Sequence, residues 1–93
     1  MLFMVIEKFR NQNADAVYRR FREKGRMMPT GATFINSWVT ADLSRCFQLI
    51  ACDNIAILQQ RVAQWSDLIE FEIVPVVEGK ETSEALAPSG KKP

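Results

Sequence analysis

The 93-residue sequence predicts an α+β domain in which a four-stranded antiparallel sheet carries two helices on one face. The first observation behind this prediction is the order of the elements, since strand-like and helix-like segments follow one another as β, α, β, β, α, β. The second is that the strand segments are apolar on both sets of alternating side chains. Two helices can cover only one of these faces, so the other is expected to pack against a second copy of the chain.

The first strand and the first helix are delimited by residues that favour turns and caps. Residues 2–9 are rich in branched and aromatic side chains and are followed by a polar turn. Asn13 is the predicted N-cap of a helix in which Val17 and Phe21 recur at helical spacing. Gly25 ends this helix.

The second half of the chain begins with a hairpin. Residues 32–40 and 45–52 are predicted strands, and the short turn between them favours antiparallel pairing. Asp53 is the predicted N-cap of the second helix. The apolar stripe of that helix consists of Ile55, Leu58, Val62 and Trp65. Residues 69–77 form the fourth strand, which Pro75 places at a sheet edge because proline cannot donate a ladder hydrogen bond. This order of elements suits the split β-α-β arrangement of ferredoxin-like folds.

The length and composition limit the chain to one folded domain. Residues 1–78 are expected to form it, and the polar segment 79–93, with two prolines and two glycines, is expected to be a flexible C-terminal tail. A domain of this size buries only about 60–65% of its unfolded surface, so dimerisation is an expected source of stability.

Charge, cysteine and histidine content disfavour several classes of function. The net charge of +1 gives no overall attraction to nucleic acid or to a membrane. No apolar run reaches the roughly 18 residues of a membrane span, so a soluble, cytoplasmic protein is expected. Cys46 and Cys52 lie about 20 Å apart along one strand, too far for a disulfide, and unpaired thiols suit a reducing compartment. Because the chain has no histidine, haem and most transition metals are disfavoured, and no cofactor is expected.

The alternating side chains divide the predicted sheet into two faces of different character. One is nearly all apolar and is expected to carry the helices; it comprises Leu2, Met4, Ile6, Ile35, Val39, Phe47, Leu49, Ala51, Ile69, Phe71 and Ile73. The other mixes apolar and polar residues and is expected to line the lumen of a dimer; it comprises Phe3, Val5, Glu7, Phe9, Phe34, Asn36, Trp38, Cys46, Gln48, Ile50, Cys52, Glu70, Glu72, Val74 and Val76. Polar groups buried in such a lumen would need one another, water or a ligand as partners.

Several short motifs carry a resemblance to a known family. They are Gly25-Arg26 with Pro29, Ser37-Trp38-Val39, Arg45-Cys46-Phe47-Gln48-Leu49, Trp65-Ser66-Asp67-Leu68, Phe71-Glu72-Ile73 and Pro75-Val76. Over roughly residues 1–78 the chain resembles an uncharacterised domain-of-unknown-function family of the dimeric α+β barrel superfamily. The resemblance implies a ferredoxin-like subunit that forms a barrel dimer, and it implies no particular activity. The superfamily includes cofactor-free oxygenases, haem-degrading enzymes, isomerases and ligand-sensing domains.

The residues predicted to bind a small, partly aromatic molecule are Glu7, Arg26, Asn36, Trp38, Gln48 and Glu72. Asn36 and Trp38 lie two apart on one strand, and an amide beside an indole suits a planar ligand. The oxygenase members of the superfamily use this pair of residue types in their pocket. Glu7 and Glu72 are expected close together, where burial would raise one pKa and suit a general base. Arg26 would reach over the mouth of the barrel towards an anionic substrate.

For each of these residues a purely structural role is the alternative. Trp38 would then belong to the core or the dimer interface, the glutamates would be solvated or ion-paired, and Arg26 would complement the C-terminus of the first helix.

Three functional hypotheses stay open. The first is a homodimeric barrel that binds a small aromatic molecule, the second is a cofactor-free monooxygenase or isomerase, and the third is a protein-interaction or regulatory module without a ligand. Nucleic-acid binding is disfavoured because the basic residues of the first helix spread around its solvent side. In addition, Phe47 is expected on the helix-packed face, whereas RNA-recognition modules place such aromatics on the open face of their sheet.

Overall fold

The computed structural model describes residues 1–88. Its elements are β1 (Leu2–Phe9), α1 (Ala14–Lys24), β2 (Ala32–Val39), β3 (Arg45–Cys52), α2 (Ile55–Trp65), β4 (Ile69–Val76) and α3 (Gly79–Ala85). The strands form a four-stranded antiparallel sheet in the order β2-β3-β1-β4. The predicted α+β class with ferredoxin-like βαββαβ topology is therefore confirmed. Pro75 lies in the edge strand β4, as predicted.

Local capping explains where the two long helices begin and end. The Asn13 side chain accepts a hydrogen bond from the Ala16 amide at 3.1 Å, and Gly25, with φ of +69°, ends α1. The predicted cap of α2 is wrong by one residue. Asn54, not Asp53, has the extended backbone of a cap, and its side chain accepts from the Ala56 amide at 2.9 Å. Both residue types are good caps, so the sequence alone does not decide between these neighbours.

Both helices cover the same face of the sheet, which we call the covered face. It comprises Phe3, Val5, Glu7, Phe9, Ala32, Phe34, Ser37, Val39, Cys46, Gln48, Ile50, Cys52, Ile69, Phe71 and Ile73. Leu58 of α2 packs in one buried cluster with Phe3, Val5 and Ile50, and Val17 of α1 packs in a second with Trp65 of α2. These two clusters form the core.

Neither α1 nor α2 packs on the other side of the sheet, which we call the open face. It comprises Leu2, Met4, Ile6, Lys8, Thr33, Asn36, Trp38, Arg45, Phe47, Leu49, Ala51, Glu70, Glu72, Val74 and Val76. At one end of this face, Leu2, Ala51 and Val76 line a shallow pocket together with Lys80, Glu81 and Glu84 of α3.

The predicted assignment of faces is right for β4 and wrong for β1 and β3. The helices lie on the mixed set of these two strands, which includes Glu7 and Gln48, and the apolar set with Phe47 and Leu49 faces away from them. The prediction failed because it assumed that helices cover the more apolar face. Here Arg61 of α2 supplies the polar partner that both buried residues need, so they are tolerated in the core.

An irregularity in β2 places its polar residues on the open face. The register with β3 shifts between Phe34 and Asn36, so that Phe34 pairs with Ile50 but Asn36 pairs with Leu49. The extra residue at this β-bulge reverses the alternation of side chains along the strand. Consequently Phe34 lies under the helices, whereas Asn36 and Trp38 lie on the open face.

The described part of the predicted tail contains a helix. A reciprocal capping box between Glu78 and Glu81 begins α3, which buries none of its residues. The flexibility of segment 79–93 and the domain boundary at residue 78 stay predictions, and residues 89–93 lie outside the described part of the chain. Within residues 1–88, the structure contains no helix with both the length and the apolar character that crossing a membrane requires.

Candidate functional site

A cavity of about 180 Å³ lies between the two long helices and the covered face. Its polar lining consists of Glu7, Tyr18, Arg26, Ser37, Cys46, Gln48 and Arg61. Its apolar lining consists of Phe9, Val17, Phe21, Val39, Trp65 and Ile69. Every strand, both long helices and the α1–β2 loop therefore contribute to this one site.

Arg61 holds the polar wall of the cavity together. Its Nη2 donates to Glu7 Oε2 at 3.2 Å and to Gln48 Oε1 at 3.0 Å, and its Nη1 donates to the Arg26 carbonyl oxygen. Only 3% of Arg61 and 2% of Glu7 are exposed. Both charges lose their hydration on burial, and each is compensated by the other. Removal of one member would therefore leave an uncompensated charge in the core.

The α1–β2 loop brings Arg26 to the cavity in a fixed conformation. Backbone φ is +69° at Gly25 and +53° at Met27, so Arg26 lies between two residues in the left-handed region. Its carbonyl oxygen also accepts from Trp65 Nε1 at 3.2 Å. The Arg26 guanidinium carbon lies 3.7 Å from the ring centre of Phe34 and 5.1 Å from that of Phe21. The loop is thus tied to α2 and to both neighbouring rings.

Three titratable groups in the cavity have raised pKa values. Burial raises the pKa of Glu7, although the hydrogen bond and charge of Arg61 and, to a smaller extent, the charge of Arg26 oppose this shift. Burial, with the charge of Glu7 in addition, raises the pKa of Cys46 to about 11. Burial is also the main reason why the pKa of Tyr18 is raised. The Cys46 thiol is therefore protonated at neutral pH and is a poor nucleophile.

The six predicted binding residues fall into two groups of three. Glu7, Arg26 and Gln48 line the cavity. Asn36, Trp38 and Glu72 lie on the open face, on the opposite side of the sheet. The structure therefore does not bring the six residues to one site, and ligand binding by any of them stays a prediction.

The expected proximity of Glu7 and Glu72 is wrong. Glu72 pairs with Ile6 across β1 and β4, and Glu7 pairs with Phe71, so the two carboxylates point to opposite faces. Glu7 is instead the ion-pair partner of Arg61. Cys46 and Cys52 are both free and buried, in line with the prediction that they do not form a disulfide.

Arg61 is the most important site residue that the sequence analysis missed. It lies three residues after Leu58 and four before Trp65, so it occupies the buried stripe of α2 rather than the solvent side. An arginine at such a position needs a buried acceptor, and this signal was present in the sequence. Tyr18 and Cys46 gave no comparable signal.

The fold and this cavity define an α+β domain of ferredoxin-like topology with a partly open, mainly apolar pocket under its helices that contains a few polar groups. The chain belongs to the family described as a domain of unknown function (DUF3303), which it matches over residues 1–90. The match extends beyond the residues 1–78 expected from the resemblance and includes α3. Among curated proteins and among solved structures, no match to this chain is found.

Proposed function

We propose that the protein is a homodimer that binds a small, single-ring aromatic molecule in the cavity between its helices and its sheet. The observation that carries the proposal is the cavity itself, about 180 Å³ in volume, with aromatic side chains and a few converging polar groups in its wall. An apolar cavity of about 150 Å³ is enough to bind benzene. The volume therefore suits one ring with a small substituent.

The cavity lies under the helices, so the site proposed here differs from the dimer lumen that the sequence predicted. Glu7, Arg26 and Gln48 support the new position because all three line the cavity. Asn36 and Trp38, which suggested oxygenase chemistry, lie outside it and do not support a monooxygenase.

The open face supports the dimer. Its central strands present Met4, Ile6, Phe47 and Leu49, and 49% of Trp38 is exposed. Four eight-residue strands cover roughly 500 Å² at ordinary strand spacing, so two copies would bury roughly 1,000 Å². This area reaches the lower limit for a specific interface.

A second copy fits the open face better than nucleic acid does. Phe47 does lie on this face, contrary to the prediction, and Arg45 lies beside it with its guanidinium carbon 5.4 Å from the ring centre. However, most of the surrounding face is aliphatic, and Glu70 and Glu72 balance the charges of Lys8 and Arg45. A self-complementary apolar contact is the better match to this composition.

A side chain that fills the cavity should abolish binding. Val39 lines the cavity from the exposed edge of the sheet, so we expect Val39→Trp to fold and to occupy the space of the ligand. Binding of benzyl alcohol, measured by saturation-transfer NMR, should weaken by at least about tenfold, because the ring loses its buried site.

The matched control is Ile55→Trp, which adds the same side chain at an exposed position of α2 outside the cavity. It should bind benzyl alcohol as the unmodified protein does. The proposal fails if the unmodified protein does not bind benzyl alcohol, or if Val39→Trp binds it unchanged.

A further inference from the structure

We propose that the natural ligand is a single-ring aromatic carboxylate, whose carboxylate group is bound by the guanidinium groups of Arg26 and Arg61. This inference rests on the proposed function and adds the charge of the ligand and the residues that recognise it.

The charges that line the cavity do not balance. Arg26 and Arg61 each carry a positive charge, and Glu7 carries the one possible compensating carboxylate. Glu7 is engaged by Arg61 at 3.2 Å. Within residues 1–88, no carboxylate lies within ion-pair distance of Arg26. The side chains that line the cavity therefore carry one excess positive charge, which one bound anion would neutralise.

Both arginines also have an unused hydrogen-bond donor. The Nε atoms of Arg26 and Arg61 are buried and have no acceptor within the described part of the chain. A buried donor without a partner is destabilising, and an incoming acceptor would remove that cost. Arg61 as a whole is almost completely buried, so bulk solvent cannot serve as that acceptor.

The arrangement of Arg26 selects a carboxylate attached to a ring. Its guanidinium carbon lies over the rings of Phe34 and Phe21. A guanidinium that packs on aromatic rings through its faces keeps the donors at its edge for a ligand. A carboxylate matches such an edge with two oxygen atoms, and a guanidinium can bind it through two parallel hydrogen bonds. The aromatic wall formed by Phe9, Tyr18 and Trp65 is then available to the ring.

The test compares benzoate with benzamide, which has the same ring and a planar but uncharged group. Dissociation constants are measured by NMR titration at pH 7 for the unmodified protein and for Arg26→Met. We expect benzoate to bind at least about tenfold more tightly than benzamide, because hydrogen bonds to a charged group are the stronger ones. In Arg26→Met this preference should fall to about twofold or less, while the affinity for benzamide stays the same.

Arg45→Met is the matched control. Arg45 also lies over a phenylalanine ring, but on the open face and outside the cavity, so its variant should keep the full preference for benzoate.

Should Arg26→Met not fold, the benzoate-to-benzamide ratio of the unmodified protein still decides whether the ligand is a carboxylate. Equal affinity for the two probes would overturn the inference and leave the aromatic site in place. A preference that survives in Arg26→Met would overturn the role of Arg26. Failure of benzoate, benzamide and benzyl alcohol alike would overturn the proposed function as well.

Discussion

Arg61→Met should destabilise the protein by about 3–5 kcal/mol at pH 8, the usual cost of removing one member of a buried ion pair. The variant leaves Glu7 buried without its ion-pair partner, and the more distant Arg26 is then the remaining positive charge that acts on it. The free energy of unfolding in urea, measured at one protein concentration, gives the effect.

The destabilisation should depend on pH in a defined direction. The pKa of Glu7 is already raised in the folded state because burial outweighs the opposing effects of Arg61 and Arg26. Without Arg61 the pKa of Glu7 in the folded state rises further, whereas the pKa in the unfolded chain stays near its ordinary value of about 4.3. Between these two values Glu7 is protonated in the folded variant and ionised in the unfolded one. A raised carboxyl pKa makes stability fall as pH rises through the interval between the two values. The difference between variant and unmodified protein should therefore be smaller at pH 5 than at pH 8.

Two further variants isolate the buried charge as the cause. Arg10→Met removes an ion pair with the same 3.2 Å separation, between Arg10 and Glu70, but both of these side chains are exposed. We expect it to cost at most about 1 kcal/mol. Glu7→Gln combined with Arg61→Met should be more stable than Arg61→Met alone at pH 8. An Arg61→Met variant no less stable than Arg10→Met would contradict the account of the polar wall.

Leu49→Arg should convert the proposed dimer into monomers, with its dissociation constant raised by more than about 100-fold. Leu49 lies in a central strand, where it pairs with Met4 and Asn36 near the middle of the open face. Two copies that meet through this face would bury an unpaired arginine from each chain, and such burial is strongly unfavourable. Sedimentation equilibrium measures the change directly.

The controls for this variant use the opposite side of the sheet. Ile55→Arg introduces the same charge at an exposed position of α2 and should leave the proposed dimer intact. Benzoate binding by Leu49→Arg should also be unchanged, because the cavity lies under the helices. If the unmodified protein is monomeric at concentrations near 1 mM, or if Leu49→Arg still dimerises, the open face is not the interface.

The elements of this fold are predictable from the sequence because local signals specify them. Helical spacing defines α1, and Asn13 and Gly25 define its ends. The orientation of the sheet is not predictable in the same way. Both faces of β1 are apolar apart from Glu7 and Lys8 near its end. The acceptability of Glu7 in the core depends on Arg61, 54 residues later in the chain.

The division of the predicted site has a second physical cause. Simple alternation places Phe34, Asn36 and Trp38 on one face, and the bulge after Phe34 separates them. No glycine or proline marks this bulge in the sequence. The site under the helices could have been found in part, because Arg61 occupies a core position of α2, but its meeting with Arg26 depends on the loop that follows α1.

The central claim is that the ligand binds under the helices and not on the open face, and the two tryptophans test it directly. Trp65 is 2% exposed and lines the cavity, whereas Trp38 is 49% exposed on the open face. Each gives one indole N–H signal in a ¹H–¹⁵N correlation spectrum, assigned with a Trp38→Phe variant. On titration with benzoate, we expect the Trp65 signal to shift, because its N–H donates to the Arg26 carbonyl oxygen, and the Trp38 signal to stay in place. A shift confined to Trp38, or no shift of either signal, would contradict the claim.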